Sequence, residues 1–177
     1  MHCVHDLEQE VWMSEVNSVK PVYVVDTNVY MDWQARFYPT DVFFSLIARI
    51  DGLISENRFV SPELVHEELD AVGTGELSKW ADQRKPIWVP SSESLAGALS
   101  IQSRFPGLLD PKAEYEEADA YVIALALQRD GIVVTSETPA SEKRKPKREF
   151  YVPDVCRELG IPCINLLGLM RKEGWTL

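Results

Sequence analysis

Positive charge is in short supply: 18 Lys and Arg stand against 28 Asp and Glu, a formal net charge of −10. Proteins that coat nucleic acid passively are usually basic, so this balance argues against that class. It does not exclude an enzyme that cuts nucleic acid, because such a site gathers carboxylates around a metal and its cations can be local. Cysteine is equally sparse. Cys3, Cys156 and Cys163 are odd in number, and their spacing suits neither a zinc knuckle nor a disulfide framework. A reducing, cytoplasmic location is therefore expected. "HCVH" near the N-terminus groups two His with one Cys, but no second ligand pair follows, and it reads as part of a terminal extension. No apolar run approaches the ~20 residues that a membrane span needs, and the polar, acidic "MHCVHDLEQE" does not resemble a signal peptide. No membrane association is expected. A glycine-rich phosphate loop is also missing. The one Gly-x-Gly, at residues 73–75, follows a helical pattern rather than a strand, which counts against a nicotinamide or ATP enzyme.

What is present supports a sizeable core: 177 residues, 45% of them hydrophobic. We expect an N-terminal extension over 1–20 and a single domain over 21–177. Residues 22–26 read as a short buried strand, "RFVSP" as a second strand, "PIWVP" as an extended piece, "GIVVT" as a strand and "PCINL" as the last one. Helices are expected at about 40–50, 62–72 (capped by Ser61), 93–104, 113–128, 153–159 and 167–172. "VGTGELSKW" looks like a break, and "SETPASEKRKPKREF" like a polar loop. Apolar strands alternating with helices predict an α/β fold with three layers, α/β/α, around a mainly parallel central sheet.

In such sheets, ligands bind at the carboxyl ends of strands. "VYVVDTNVY" places Asp26 there, at the end of the first strand. Two further acids sit on faces that should be apolar. On a helical wheel, Glu68 falls among Leu64, Val65, Leu69 and Val72, whereas Glu67, Glu63 and Asp70 point away. Asp119 falls among Tyr115, Val122, Ile123 and Ala126, and Glu117 falls on the opposite face. A buried carboxylate is costly unless it is paired or bound to a metal. One divalent cation shared by Asp26, Glu68 and Asp119 would satisfy all three, and oxygen ligands without His or Cys match Mg2+ or Mn2+. Glu137, just past "VVT", is a candidate fourth acid.

These motifs in order, "VVDTNV", "ELVHEELD", "ADAYVIALAL" and "GIVVTSE", resemble the PIN-domain family, most closely VapC-type toxin ribonucleases. The resemblance runs from about Val22 to Leu166. It implies a PIN-like fold and a Mg2+- or Mn2+-dependent endoribonuclease that hydrolyses RNA. Asp26, Glu68 and Asp119 match the metal-binding acids, and Asn28 and Thr135 the supporting polar positions on the substrate side. Glu137 stands where the family usually has Asp, so either Glu137 or Asp154 completes the pocket. Glu68 is either a ligand or the base that orients the attacking water. A basic insertion departs from the family pattern. Its cations Lys143, Arg144, Lys145, Lys147 and Arg148 read as a clamp on the RNA backbone. Trp33, Phe37 and Tyr38 stand near the site, for packing or for stacking on bases. The resemblance also implies a cognate antitoxin and self-association as a homodimer. A haloacid-dehalogenase-type phosphatase would need Asp where Asn28 stands, which counts strongly against it. The serious rival is a degenerate PIN module that would bind RNA or a protein without cutting.

Overall fold

The computed structural model describes residues 20–39, 41–110, 112 and 116–176. The expected extension over 1–20 lies outside them except for Lys20. So do "HCVH", Thr40 and residues 113–115. Five strands form one all-parallel sheet in the order β3-β2-β1-β4-β5. They are β1 Tyr23–Val25, β2 Phe59–Pro62, β3 Trp88–Val89, β4 Ile132–Val134 and β5 Cys163–Ile164. The helices are α1 Thr27–Asp32, α2 Phe44–Ser55, α3 Glu63–Val72, α4 Gly75–Asp82, α5 Ser91–Arg104, α6 Asp119–Gln128, α7 Val152–Leu159 and α8 Leu166–Lys172. The central strands β1, β2 and β4 are buried throughout, so they are short continuous apolar runs rather than alternating ones.

The layering follows from handedness. From β1 the chain steps outward to β2 and β3, then returns across the sheet to β4 and β5. Right-handed crossovers running in opposite directions put their helices on opposite faces. Accordingly α6 packs beneath β1, β2 and β4 and against α5 and α7. On the other face α8 and α2 are joined through Arg58, which pairs with Glu56 and Glu173. The direction reverses between β1 and β4, and this topological switch opens a crevice at their carboxyl ends.

Several local details differ from the sequence reading. The α2 helix begins at Phe44 and extends to Ser55. The break is confined to Gly73 and Thr74, and residues 75–82 are helical. Thr74 accepts a hydrogen bond from Leu77 N (3.2 Å) and caps α4, which buries Leu77, Trp80 and Ala81 at helical spacing. Ser61 does not cap α3. It is fully buried, donates to Val25 O (2.6 Å) and contacts the Tyr30 hydroxyl (2.7 Å). Ser91 instead serves α3, accepting from Leu64 N at 3.1 Å. Trp33 is core, edge-on to Trp80 at 5.0 Å. Tyr38 packs on Phe43, and Phe37 is exposed. Among the described residues no helix is long and apolar enough to cross a membrane.

Candidate active site

A cavity of about 500 Å³ opens at the switch between β1 and β4. Asp26, Glu68, Asp119 and Glu137 all line it, from the β1–α1 junction, α3, the start of α6 and the loop after β4. Met31, Leu64, Ala71 and Val72 supply an apolar wall.

Asp26 leaves β1 and caps α1. It is buried, and its Oδ1 accepts from Thr27 N at 2.7 Å. Its Oδ2 accepts from the Thr135 hydroxyl at 2.7 Å and from the Asn28 amide. Asn28 Oδ1 in turn accepts from Ser136 N at 2.7 Å, so the ends of β1 and β4 are tied together behind the acid. Thr135 is buried and holds Asp26 in place, as a supporting polar residue. Asn28 holds Asp26 as well and also lines the cavity.

Glu68 points inward from α3, as the wheel predicts, and accepts from Ala118 N (2.9 Å) and the Thr27 hydroxyl. Glu67 is exposed and reaches only the rim. Asp119 opens α6 instead of lying within a longer helix. Its Oδ2 accepts from Arg148 at 2.8 Å, and its Oδ1 has no protein partner among the described residues. Because residues 116–118 are not helical, the wheel misplaces Glu117. That residue is buried in the cavity wall, accepts from Asp110 N (2.6 Å) and pairs with Arg148 at 3.2 Å. No periodicity signals this, and the only sequence hint is the density of acids in "EYEEAD". Glu137 lines the cavity; its Oε2 accepts from Val152 N at 3.0 Å, and its Oε1 has no protein partner among the described residues. Asp154 is not a pocket acid. It accepts from Tyr151 N (3.1 Å) and Ala140 N (2.8 Å), and so holds the start of α7 and the loop before it.

The basic run divides. Arg144, Lys145 and Lys147 are exposed, and the Lys143 ammonium lies 4.1 Å above the Tyr151 ring. Arg148 turns inward and joins the acids. A second groove of about 270 Å³ shares Asn28, Met31 and Glu137 with the cavity and adds Arg36 and Lys143.

Burial pushes the Asp26 carboxyl up to about 7; Glu137 and Glu68 add to the push, and the Thr135 and Thr27 donors oppose it. Burial also holds Asp119 well above the usual carboxylate range, with Asp26 and Glu137 adding and Arg148 opposing. Glu68 is raised by burial, against its Thr27 and Ala118 donors. Protein groups alone thus leave the cavity short of positive charge, and an all-oxygen donor set of this kind fits a hard divalent cation. A competing set exists. Among the described residues, the grouping whose ligand atoms all lie within 4.8 Å of one another is His66, Asp70 and Asp82, and the cavity acids stand further apart. Asp70 and Asp82 are exposed, however, and both His66 ring nitrogens face carboxylates. The wider spacing in the cavity suits Mg2+, which keeps several of its waters.

A family model described as a domain of unknown function (DUF4411) matches residues 23–177. No curated protein matches the chain.

Proposed function

The chain belongs to the family described as a domain of unknown function (DUF4411), a description that names no chemistry, and from the site we propose a metal-dependent endoribonuclease of PIN-like architecture. The observation that carries this reading is the convergence of Asp26, Glu68, Asp119 and Glu137 on one cavity at the switch point of a parallel sheet. Four separate segments of the chain bring buried or half-buried carboxylates there, with one guanidinium to offset them among the described residues. That cost is hard to explain structurally, and it is relieved by a divalent cation.

Asp26, Asp119 and Glu137 would hold the ion, directly or through its waters, and Glu68 would keep Thr27 and the start of α6 in register with it. When bound, Mg2+ or Mn2+ lowers the pKa of a water and polarises the phosphoryl oxygens. The protein's own part is orientation and proton transfer. Asp119 Oδ1 and Glu137 Oε1 carry no protein hydrogen bond among the described residues, and either can accept the proton of an attacking water. As the new oxygen–phosphorus bond forms, the ester bond breaks, and the leaving oxygen takes a proton from solvent. The groove holding Arg36 and Lys143 runs out from this point and offers a path for the flanking phosphates.

RNA as the substrate, a cognate antitoxin and a homodimer follow from the PIN resemblance. The antitoxin reading gains support from exposed Phe37, Val42 and Phe44, and from a groove beside the site lined by Phe37, Tyr38 and Leu167. The test is incubation of purified protein with end-labelled RNA and DNA oligonucleotides, with Mg2+, Mn2+ or chelator. Metal-dependent RNA cleavage that Asp119→Asn abolishes is expected. Cleavage that survives chelator, or survives Asp119→Asn, would sink the proposal. Co-expression with the neighbouring gene product tests the partner: an antitoxin binds and suppresses cleavage, and a neighbour that does neither removes the toxin reading.

A further inference from the structure

Resting on that reading of the site, we propose that Arg148 is a catalytic residue whose guanidinium binds a non-bridging oxygen of the phosphate being cleaved. Its place is unusual for a surface basic run. Among the described residues, seven carboxylates and one guanidinium line the cavity, and that guanidinium is Arg148. A phosphodiester is an anion. It can approach so many acids only where cations meet it, and Arg148 is the one that the chain itself puts inside.

The side chain is held rigidly. One terminal nitrogen donates to Asp119 Oδ2 (2.8 Å) and to Leu108 O (2.9 Å), and the other pairs with Glu117 Oε1 at 3.2 Å. Glu117 is itself fixed by the Asp110 amide at 2.6 Å. The hydrogen bonds use two of the five guanidinium N–H groups, both on one nitrogen, and the other three make no hydrogen bond to the protein among the described residues. Arg148 lines the cavity, and its remaining donors are those a bound phosphate would use. The backbone supports the same placement. Phe150 N donates to Gly107 O at 3.1 Å, and a Cβ added at Gly107 would lie 2.5 Å from Glu149 Cβ. The missing side chain at Gly107 lets the loop dock so that Arg148 points inward. Arg148 donates to Asp119, one of the residues that would hold the cation, so a phosphate taken by its remaining donors would lie next to those acids. The planar fork suits two phosphate oxygens in a way that a lysine ammonium does not. During the step, water oxygen bonds to phosphorus and the ester electron pair leaves with its oxygen. Arg148 stays protonated and offsets charge on the equatorial oxygens.

The experiment compares wild type with Arg148→Gln and Arg148→Lys, all three checked for folding by circular dichroism. Readouts are Mn2+ affinity by calorimetry, single-turnover RNA cleavage at saturating Mn2+, and 31P NMR titration of adenosine 5′-monophosphate with Mg2+. Arg148→Gln should bind Mn2+ at least as tightly as wild type, because a neighbouring positive charge has gone. It should cleave slower on the order of 10²- to 10³-fold, the cost of removing one oxyanion donor. It should bind the nucleotide roughly tenfold or more weakly, as expected when a charge-assisted hydrogen bond is removed. Arg148→Lys should fall between. Cleavage by Arg148→Gln within a few-fold of wild type, or parallel loss of Mn2+ binding, would make Arg148 a structural ion pair and overturn the inference alone. If wild type cleaves nothing yet binds the nucleotide through Arg148, the nuclease reading fails and this binding site stands. If it neither cleaves nor binds the nucleotide, both fail.

Discussion

Removing divalent ions with chelator should make the protein less stable at neutral pH than at mildly acidic pH. The reason is the cavity. Raising the Asp26 carboxyl from 3.8 to about 7 is worth about 4 kcal/mol between the two protonation states. The sign follows from linkage. The folded state holds this proton more tightly than the unfolded one. The stability it contributes is therefore fully present below 3.8 and is lost as the pH rises through about 7. Between pH 5 and pH 7.5 the loss is roughly 2 to 3 kcal/mol from Asp26 alone. Asp119 and Glu68 are raised too and act in the same direction. Glu56 and Glu173 are lowered, chiefly through Arg58 in the case of Glu56, and for Glu173 because Arg58 and Tyr23 outweigh its burial. Their contribution is lost only as the pH falls below the ordinary carboxylate range, so it does not cancel the effect above pH 5. Urea unfolding followed by the fluorescence of buried Trp33 and Trp80 reads the quantity directly. A metal at a hundred times its dissociation constant should return about 2.7 kcal/mol at pH 7.5, which offsets most of the loss. Asp119→Asn should shrink both the pH slope and the metal effect while keeping an oxygen for Arg148. A chelated protein whose stability is flat or rises from pH 5 to 7.5, or one that gains nothing from Mg2+ or Mn2+, would refute the reasoning.

Other outcomes can be checked with single variants or small sets. Glu68→Gln should reduce RNA cleavage by about 10- to 100-fold, as for a residue that positions metal-holding groups, and Glu67→Gln by no more than a few-fold, and the reverse order would mean that α3 presents a different face. Replacing Lys143, Arg144, Lys145 and Lys147 together by Ala should weaken RNA binding and flatten its dependence on salt by about one unit of slope for each phosphate no longer neutralised; an unchanged slope would make the run a solvated loop. Gly107→Ala should destabilise by about 1–3 kcal/mol and release Arg148 from the cavity, seen as a fall in cleavage larger than any fall in Mn2+ affinity. Unaltered stability would show that the loop does not depend on that close approach.

The parallel sheet was legible because its strands are short apolar runs set between helices, and such runs have few other uses in a chain of this length. Asp26 was legible for a related reason: a carboxylate directly after a buried strand marks the sheet edge. Glu68 could be read because α3 is regular along its whole length, so a helical wheel applies to it. The same wheel failed at Glu117, where it was extended through residues that enter α6 without being helical. Glycine hid α4. Gly73 and Gly75 look like a break, although Thr74 caps a helix between Gly75 and Asp82. Arg148 was the least legible. Five cations in one loop look alike in sequence, and which one turns inward depends on Gly107, distant in the chain, and on acceptors at Leu108, Glu117 and Asp119.

The most direct test of a metal-dependent cavity is a crystal grown or soaked with Mn2+, with data collected at the manganese absorption edge. An anomalous peak in the cavity among Asp26, Asp119 and Glu137 is the predicted result. A peak confined to His66, Asp70 and Asp82, or none at a Mn2+ concentration that saturates cleavage, would contradict it.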